Sequence, residues 1–198
     1  MLEARNISVL FGKATVFSNL SMSVKPGEIY CVSGPSGCGK TTLGRILARL
    51  RRPDSGEVTL DNQRSDLHHW WPVQYLHQSP LSAMNPRWRI GKVIREPGAV
   101  DPELERALGV QRDWAERYPH ELSGGQLQRV SILRALGAKP RYLIADEITS
   151  ALDPVAQAQI WHFLLAFANK LQVGILAISH DEGLLATIGN KQPGLRLG

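Results

Sequence analysis

Lys40 and Thr41 close the stretch Gly34-Pro35-Ser36-Gly37-Cys38-Gly39-Lys40-Thr41. An ammonium and a hydroxyl at the end of a glycine-rich turn can hold a polyphosphate and its divalent cation together. The three glycines let the backbone curl and aim successive N–H groups at phosphate oxygens, where a Cβ would collide with the ligand. Lys40 offers a mobile positive charge to β- and γ-phosphates, and the Thr41 hydroxyl offers one ligand to Mg2+. Thr42 opens a helical pattern whose unpaired N–H groups and positive dipole end add to the same phosphate site.

Two further groups carry chemistry. Arg141-Tyr142-Leu143-Ile144-Ala145-Asp146-Glu147 is an apolar strand ending in adjacent carboxylates. Ligands of open α/β sheets bind beyond the carboxyl ends of strands, so Asp146 is placed to hold Mg2+ and Glu147 to orient or deprotonate an attacking water. Leu122-Ser123-Gly124-Gly125-Gln126-Leu127-Gln128-Arg129 opens a helix. Ser123 and Gln126 fit a capping box, which explains both without any ligand. The paired glycines exceed what a cap needs and admit an anion to the helix start. A chain with two phosphate-binding surfaces points to two molecules sharing each nucleotide.

The elements that must position these groups read as follows. Ile7 to Phe11 and Val16 to Val24 alternate as half-buried antiparallel strands, with Ile7, Val9 and Phe11 on one face. Pro26-Gly27 turns the chain into an apolar strand, Glu28 to Ser33. After the loop, Leu43, Ile46, Leu47 and Leu50 predict a helix over Thr42 to Leu50 with one face on a core, stopped by Pro53-Asp54-Ser55-Gly56. Glu57 to Leu60 and Val73 to Leu76 are short strands joined by a polar surface connection, Asp61 to Trp70. His68 and His69, being adjacent, point apart and read as surface residues rather than a metal pair.

From Ser79 to Leu122 prolines break the chain into short pieces, with helical segments at Ile90 to Glu96 and Pro102 to Leu108. This is a small helical insertion. The pattern then resumes as helix Ser123 to Leu136, strand Tyr142 to Ala145, helix Pro154 to Leu171 and strand Val173 to Ser179. Asp153 is an N-cap and Pro154 a first helical residue. Strands alternating with helices imply an α/β fold with a mostly parallel sheet covered on both faces.

The 198 residues, 43% of them apolar, suffice for one domain that buries about 70% of its unfolded surface. Cys31 and Cys38 fit neither a metal spacing nor a disulfide framework and read as small residues in a reducing compartment. The start lacks the charged and apolar regions of a leader, and there is no run of about 18 or more apolar residues. A net charge of +5 allows an anionic partner. The basic residues are dispersed, densest at Arg49, Arg51 and Arg52, and no zinc spacing, basic arm or aromatic RNA-binding stretch points to nucleic acid.

These motifs, in this order, resemble the nucleotide-binding subunit of ABC transporters, a branch of the P-loop NTPases, from about Ile7 to His180. Leu122 to Gln126 is identical to the family signature LSGGQ. Ser150-Ala151-Leu152-Asp153 is similar to the D-loop, Gln78 to the Q-loop glutamine and His180 to the switch histidine. Phe11 stands where the family usually keeps a tyrosine stacked on adenine and retains the aromatic face.

The resemblance implies a single ABC ATPase domain over 1–198, with a nucleotide-binding core of 1–78 and 126–198, an N-terminal antiparallel β subdomain and a helical subdomain of 79–125. It implies ATP and Mg2+ as cofactors. Phe11, the loop Gly34, Pro35, Ser36, Gly37, Cys38, Gly39, Lys40, Thr41 and Thr42, and Ser123, Gly124, Gly125 and Gln126 would bind nucleotide. Thr41, Gln78 and Asp146 would hold metal, and Glu147, His180 and Gln78 would carry catalysis. Nucleotide held by Lys40 and Thr41 of one subunit would be covered by Ser123 and Gly125 of another, head to tail. The expected partners are a second ATPase subunit, the same or different, and transmembrane permease subunits, with no nucleic acid. The expected place is the cytoplasmic face of the inner (plasma) membrane, peripherally attached.

A narrower resemblance lies at Gln78-Ser79-Pro80-Leu81-Ser82-Ala83-Met84-Asn85-Pro86-Arg87. It is similar to the Q-loop extension of peptide, nickel and metal-opine importers, with Ser79, Ala83 and Met84 departing from that pattern. Two other departures are Ile148, where the family commonly has a small residue or Pro beside the catalytic Glu, and the stretch after His180, which lacks the usual final strands, so that either the chain is a compact member or the last part of the sheet is absent and an edge strand is left to be covered. The function expected is the ATP-hydrolysing subunit of an importer for peptide, nickel or metal chelate. The alternatives are an ABC-type ATPase acting on nucleic acid or the ribosome, and a catalytically weak member of a heterodimer.

Overall fold

The alternating N-terminal residues pair first. In the computed structural model, which describes residues 1–12, 14–64, 71–189 and 194–197, β1 (Leu2–Phe11) lies antiparallel to β2 (Ala14–Val24), and on its other side to β4 (Ser55–Leu60). A two-residue strand, β5 (Gln63–Arg64), completes this sheet in the order β2-β1-β4-β5. Ile7 and Val9 are fully buried, but Phe11 is 56% exposed. The expected inward alternation fails there because the β1–β2 register shifts between Val9 and Leu10. A one-residue slip sends the following side chains to the other face.

The second sheet is parallel, in the order β6-β7-β8-β3-β9. Its strands are β3 (Ile29–Ser33), β6 (Val73–Leu76), β7 (Tyr142–Asp146), β8 (Gly174–Ile178) and β9 (Leu195–Arg196). Alternation along β7 fills two cores. Leu143 and Ala145 pack on one face with Ile132, Leu133, Ile160 and Leu164, whereas Tyr142 and Ile144 pack on the other with Leu43, Ile46 and Leu47. Both faces are apolar because both are covered, as parallel sheets require.

The helix after the glycine-rich loop, α1, spans Lys40–Leu47 and stops before the expected Leu50. Arg49 adopts a left-handed conformation (φ 60°), its N–H donates to the Ile46 carbonyl at 2.9 Å, and the Leu50 N–H donates to the Arg45 carbonyl at 2.8 Å. This is the bond pair of a Schellman cap, and it turns Leu50 off the core face to 58% exposure. The stop is local and does not await Pro53.

Between β6 and the next long helix lie two short helices, α2 (Ile90–Ile94) and α3 (Pro102–Ala107), and 3-10 turns at Pro80–Ala83, Arg112–Glu116 and Pro119–Glu121. The chain continues through α4 (Gly124–Gly137) and α5 (Pro154–Leu171). Asp153 caps α5 by accepting from the N–H groups of Val155 and Ala156 at 3.0 and 2.9 Å, ahead of Pro154.

After β8 a further helix, α6 (Glu182–Ile188), leads back toward β3. Contrary to the expectation that this stretch adds no strand, β9 pairs parallel with β3, Leu195 opposite Val32 and Arg196 opposite Ser33. Residues 190–193 lie outside the described residues, as do His68 and His69.

Candidate functional site

Four parallel strands bring their chemistry to one edge. The glycine-rich loop follows β3, Gln78 stands two residues beyond β6, Asp146 ends β7, and His180 stands two residues beyond β8. The register aligns them, with Leu76 opposite Ala145, Asp146 opposite Ile178, and Val32 opposite Ile178. This is the carboxyl edge, where open parallel sheets bind ligands.

In the loop, Pro35, Ser36 and Gly37 are exposed, while Cys38 is half-buried. Gly34, Gly37 and Gly39 have φ of 142°, 84° and 104°. Their need for glycine has different sources. A Cβ on Gly34 would lie 2.2 Å from the Leu197 carbonyl oxygen, and one on Gly39 would lie 2.5 Å from Val16, so at these two it is the protein that forbids a side chain. At Gly37 the space is open. Lys40 is 6% exposed, and its Nζ donates to the carbonyls of Gly34 and Pro35 at 2.7 and 2.9 Å. The ammonium therefore lies folded against its own loop, with its third N–H, 4.0 Å from Cys38 Sγ, held only weakly and ready for an incoming anion.

The Thr41 hydroxyl donates to Oδ2 of Asp146 at 2.9 Å, joining the loop to β7. The Tyr75 hydroxyl donates to that same oxygen. Burial, followed by the hydrogen bond and charge of Asp146, raises the Tyr75 hydroxyl well above the ordinary tyrosine range, with Arg45 opposing, so it remains a proton donor. Oδ1 of Asp146 is buried and has no hydrogen-bond partner among the described residues. A free carboxylate oxygen beside a threonine hydroxyl fits a hard divalent cation, so Thr41 and Asp146 are compatible with Mg2+, whereas Gln78, the third residue expected there, turns its amide nitrogen to Glu147 and Ser150.

Glu147 has a left-handed backbone (φ 50°), unusual for a side chain of its size, which swings it off the line of β7. His180 Nδ1 approaches its Oε1 at 3.3 Å, and Gln78 Nε2 donates to its Oε2 at 3.2 Å and to Ser150 Oγ at 3.4 Å. Ile148 is buried in the core, and Trp161 Nε1 donates to Thr149 Oγ1 at 3.1 Å, so the turn beyond Glu147 is anchored from beneath.

Ser123 and Gln126 form the expected capping box, with bonds of 2.9 and 3.3 Å. Ser123 and Gly124 are exposed, and among the described residues none of 123–126 hydrogen-bonds the glycine-rich loop. Phe11 offers one open ring face, while the Arg51 guanidinium lies 4.1 Å from the ring centroid.

Sequence reasoning missed Tyr75, Arg45 and His77. On β6 the run Val73 to Leu76 reads as strand filler, and only the fold aims the phenol at Asp146. His77 is half-buried, and its imidazole is held below its ordinary pKa, first by burial and next by Arg45, with Asp146 opposing and Arg134 adding to the effect. Burial pushes the Cys31 thiol up to about 11, as befits an inert core cysteine.

The ABC transporter family model matches residues 17–150. A "Probable peptide ABC transporter ATP-binding protein" of Sinorhizobium fredii is 38% identical over 91% of this chain and 56% of its own. A glutathione import ATP-binding protein of Pectobacterium atrosepticum is 36% identical over 90% of this chain and 32% of its own. The chain thus spans about half or less of these relatives' length. An ATP-binding cassette solved as a dimer in a post-hydrolysis state, bound to ADP and Pi, superposes with a TM-score of 0.81 at 25% identity, covering 93% of this chain and 90% of that one.

Proposed function

The chain belongs to the ABC transporter family, and from that premise we propose that it is the ATP-hydrolysing subunit of an importer, working as a head-to-tail dimer beneath a transmembrane permease. The observation that carries the proposal is the convergence on one sheet edge of Lys40, the Thr41–Asp146 bond, and Glu147 between His180 and Gln78.

In the proposed cycle Lys40 leaves the Gly34 and Pro35 carbonyls for the β- and γ-phosphates. Bound Mg2+, held by Thr41, Asp146 and Gln78, would neutralise charge on those phosphates. Gly34 to Gly39 and Thr42 cradle the phosphates through backbone N–H groups, and Phe11 carries the adenine on its open face. Glu147 takes the proton of the attacking water as its oxygen bonds to the γ-phosphorus and the β–γ bridging oxygen leaves with ADP. His180 orients that water. Ser123, Gly124, Gly125 and Gln126 of a second subunit cover the nucleotide, so closure follows loading and opening follows release.

The helical unit 79–125 is read as the face toward the permease and the rest as the nucleotide-binding core. Among the described residues no helix is long and apolar enough to cross a membrane, in keeping with a subunit attached at the cytoplasmic face. Of the solutes considered, the names of the relatives favour a peptide or a peptide-like molecule over nickel or a chelate.

The test is capture of the Glu147→Gln subunit with MgATP from detergent-solubilised native membranes, with mass spectrometry of what accompanies it. A permease pair is expected. Ribosomes or nucleic acid would overturn the importer reading.

A further inference from the structure

Two hydroxyls meet on one oxygen of Asp146. Thr41 Oγ1 donates to Oδ2 at 2.9 Å from α1, and Tyr75 donates to it from β6, the strand beside β7, where Tyr75 pairs with Ile144. The carboxylate is 4% exposed, and its other oxygen, Oδ1, is buried without a partner. Two donors from two elements fix the carboxylate plane, so the free oxygen has one direction in which to point.

The two donors are not equivalent. Thr41 is the last residue of the glycine-rich loop and has a metal to serve. Tyr75 has no such duty. Arg45, one turn along α1 from Thr41, faces the phenol, and its charge opposes the rise in the pKa of Tyr75. An arginine has no acceptor, so the phenol proton is left for Asp146.

We propose that Tyr75 is a positioning residue for the divalent cation: its hydroxyl pins Oδ2 of Asp146 and thereby holds Oδ1 ready as the metal-facing oxygen. The inference rests on the reading of Asp146 as a Mg2+-holding group. Partners that orient a ligating carboxylate are commonly worth about 10–100-fold in metal affinity.

The probe is Mn2+, titrated by the loss of its free electron paramagnetic resonance signal into the Glu147→Gln protein saturated with ATP. Tyr75→Phe, which keeps the ring, is expected to weaken Mn2+ binding by about 10–100-fold. Affinity for ATP in EDTA should stay unchanged. Tyr75→Phe combined with Asp146→Asn should bind Mn2+ no more weakly than Asp146→Asn alone, because the phenol acts only through the carboxylate. Wild-type Mn2+ affinity in Tyr75→Phe, beside a weakened Asp146→Asn, would overturn the role of Tyr75 and leave the metal site intact. Full additivity in the double variant, or an equal loss of ATP binding in EDTA, would also overturn it. Unweakened binding in Asp146→Asn would remove the metal reading itself, and the proposal with it.

Discussion

Nδ1 of His180 stands 3.3 Å from Oε1 of Glu147, at the carboxyl ends of the adjacent strands β8 and β7. Gln78 meets the other oxygen of the same carboxylate from beyond β6. Glu147 is thereby held on both oxygens while its left-handed backbone keeps it clear of Asp146. Two neighbouring carboxylates thus face different partners, Asp146 the hydroxyls of Thr41 and Tyr75 and Glu147 the side chains of His180 and Gln78.

Glu147→Gln keeps the shape and both neighbours but cannot accept a proton. Hydrolysis is expected to fall by about 10²–10⁴-fold, the usual contribution of a general base. ATP binding should persist. Single-turnover phosphate release together with equilibrium nucleotide binding checks the pair, and an unchanged release rate would reassign the base.

Gly124→Ala tests the shared site. A Cβ there meets nothing within 4 Å, and the residue opens α4 without a positive φ. Alanine should leave the isolated subunit as stable or firmer by about 0.4–1 kcal/mol, through the unfolded chain. Loss must then come from what covers Gly124 in the working assembly. ATP-dependent dimerisation of the Glu147→Gln background, followed by light scattering, is expected to fail when Gly124→Ala is added. Wild-type dimerisation would argue against a second subunit at this surface.

The glycine-rich loop, Asp146-Glu147 and the capping box were legible in the sequence because each is a local pattern with a local cause. The strands that carry them were legible for the same reason, down to Val73–Leu76 and the helix Pro154–Leu171. Leu50 was misplaced because the Schellman cap is formed by Arg49, a residue with no special preference for the left-handed region. Phe11 was misplaced because a register shift between strands leaves no mark in either strand's own residues. Strand β9 was missed because two residues, Leu195 and Arg196, carry no periodicity. Tyr75 and His77 needed the third dimension, since their roles depend on β6 lying beside β7.

His77 supplies a dependence on pH. Its folded pKa is depressed from 6.5, so above that value both folded and unfolded chains hold it neutral. As pH falls below about 6.5 the unfolded chain takes up a proton that the folded chain resists, and stability is lost toward the lower folded value. Replacing it with phenylalanine, of similar size, removes that loss. Thermal midpoints measured between about pH 7.5 and 5 should therefore fall less steeply in His77→Phe than in the wild type. Parallel curves would mean that His77 charges freely in the folded protein.

Gly34 and Gly37 separate two reasons for a glycine in one loop. Both have a left-handed φ, 142° and 84°, so alanine at either brings backbone strain on the order of 1–3 kcal/mol. Only at Gly34 does the new Cβ also strike protein, the Leu197 carbonyl at 2.2 Å. Leu197 cannot withdraw cheaply, since its N–H donates to the Ser33 carbonyl at 2.9 Å and its side chain is buried. Overpacking of that kind costs about 1–3 kcal/mol more. In a domain of this size, each kcal/mol moves the thermal midpoint by about 2–4 °C. Gly34→Ala should therefore melt about 2–12 °C below Gly37→Ala, with the overlap relieved by displacing β9 from β3. Gly37→Ala, whose Cβ enters open space on the nucleotide side, should instead show its main loss in ATP affinity. Equal melting of the two variants would mean that the Leu197 strand yields without resistance and gives the loop no support.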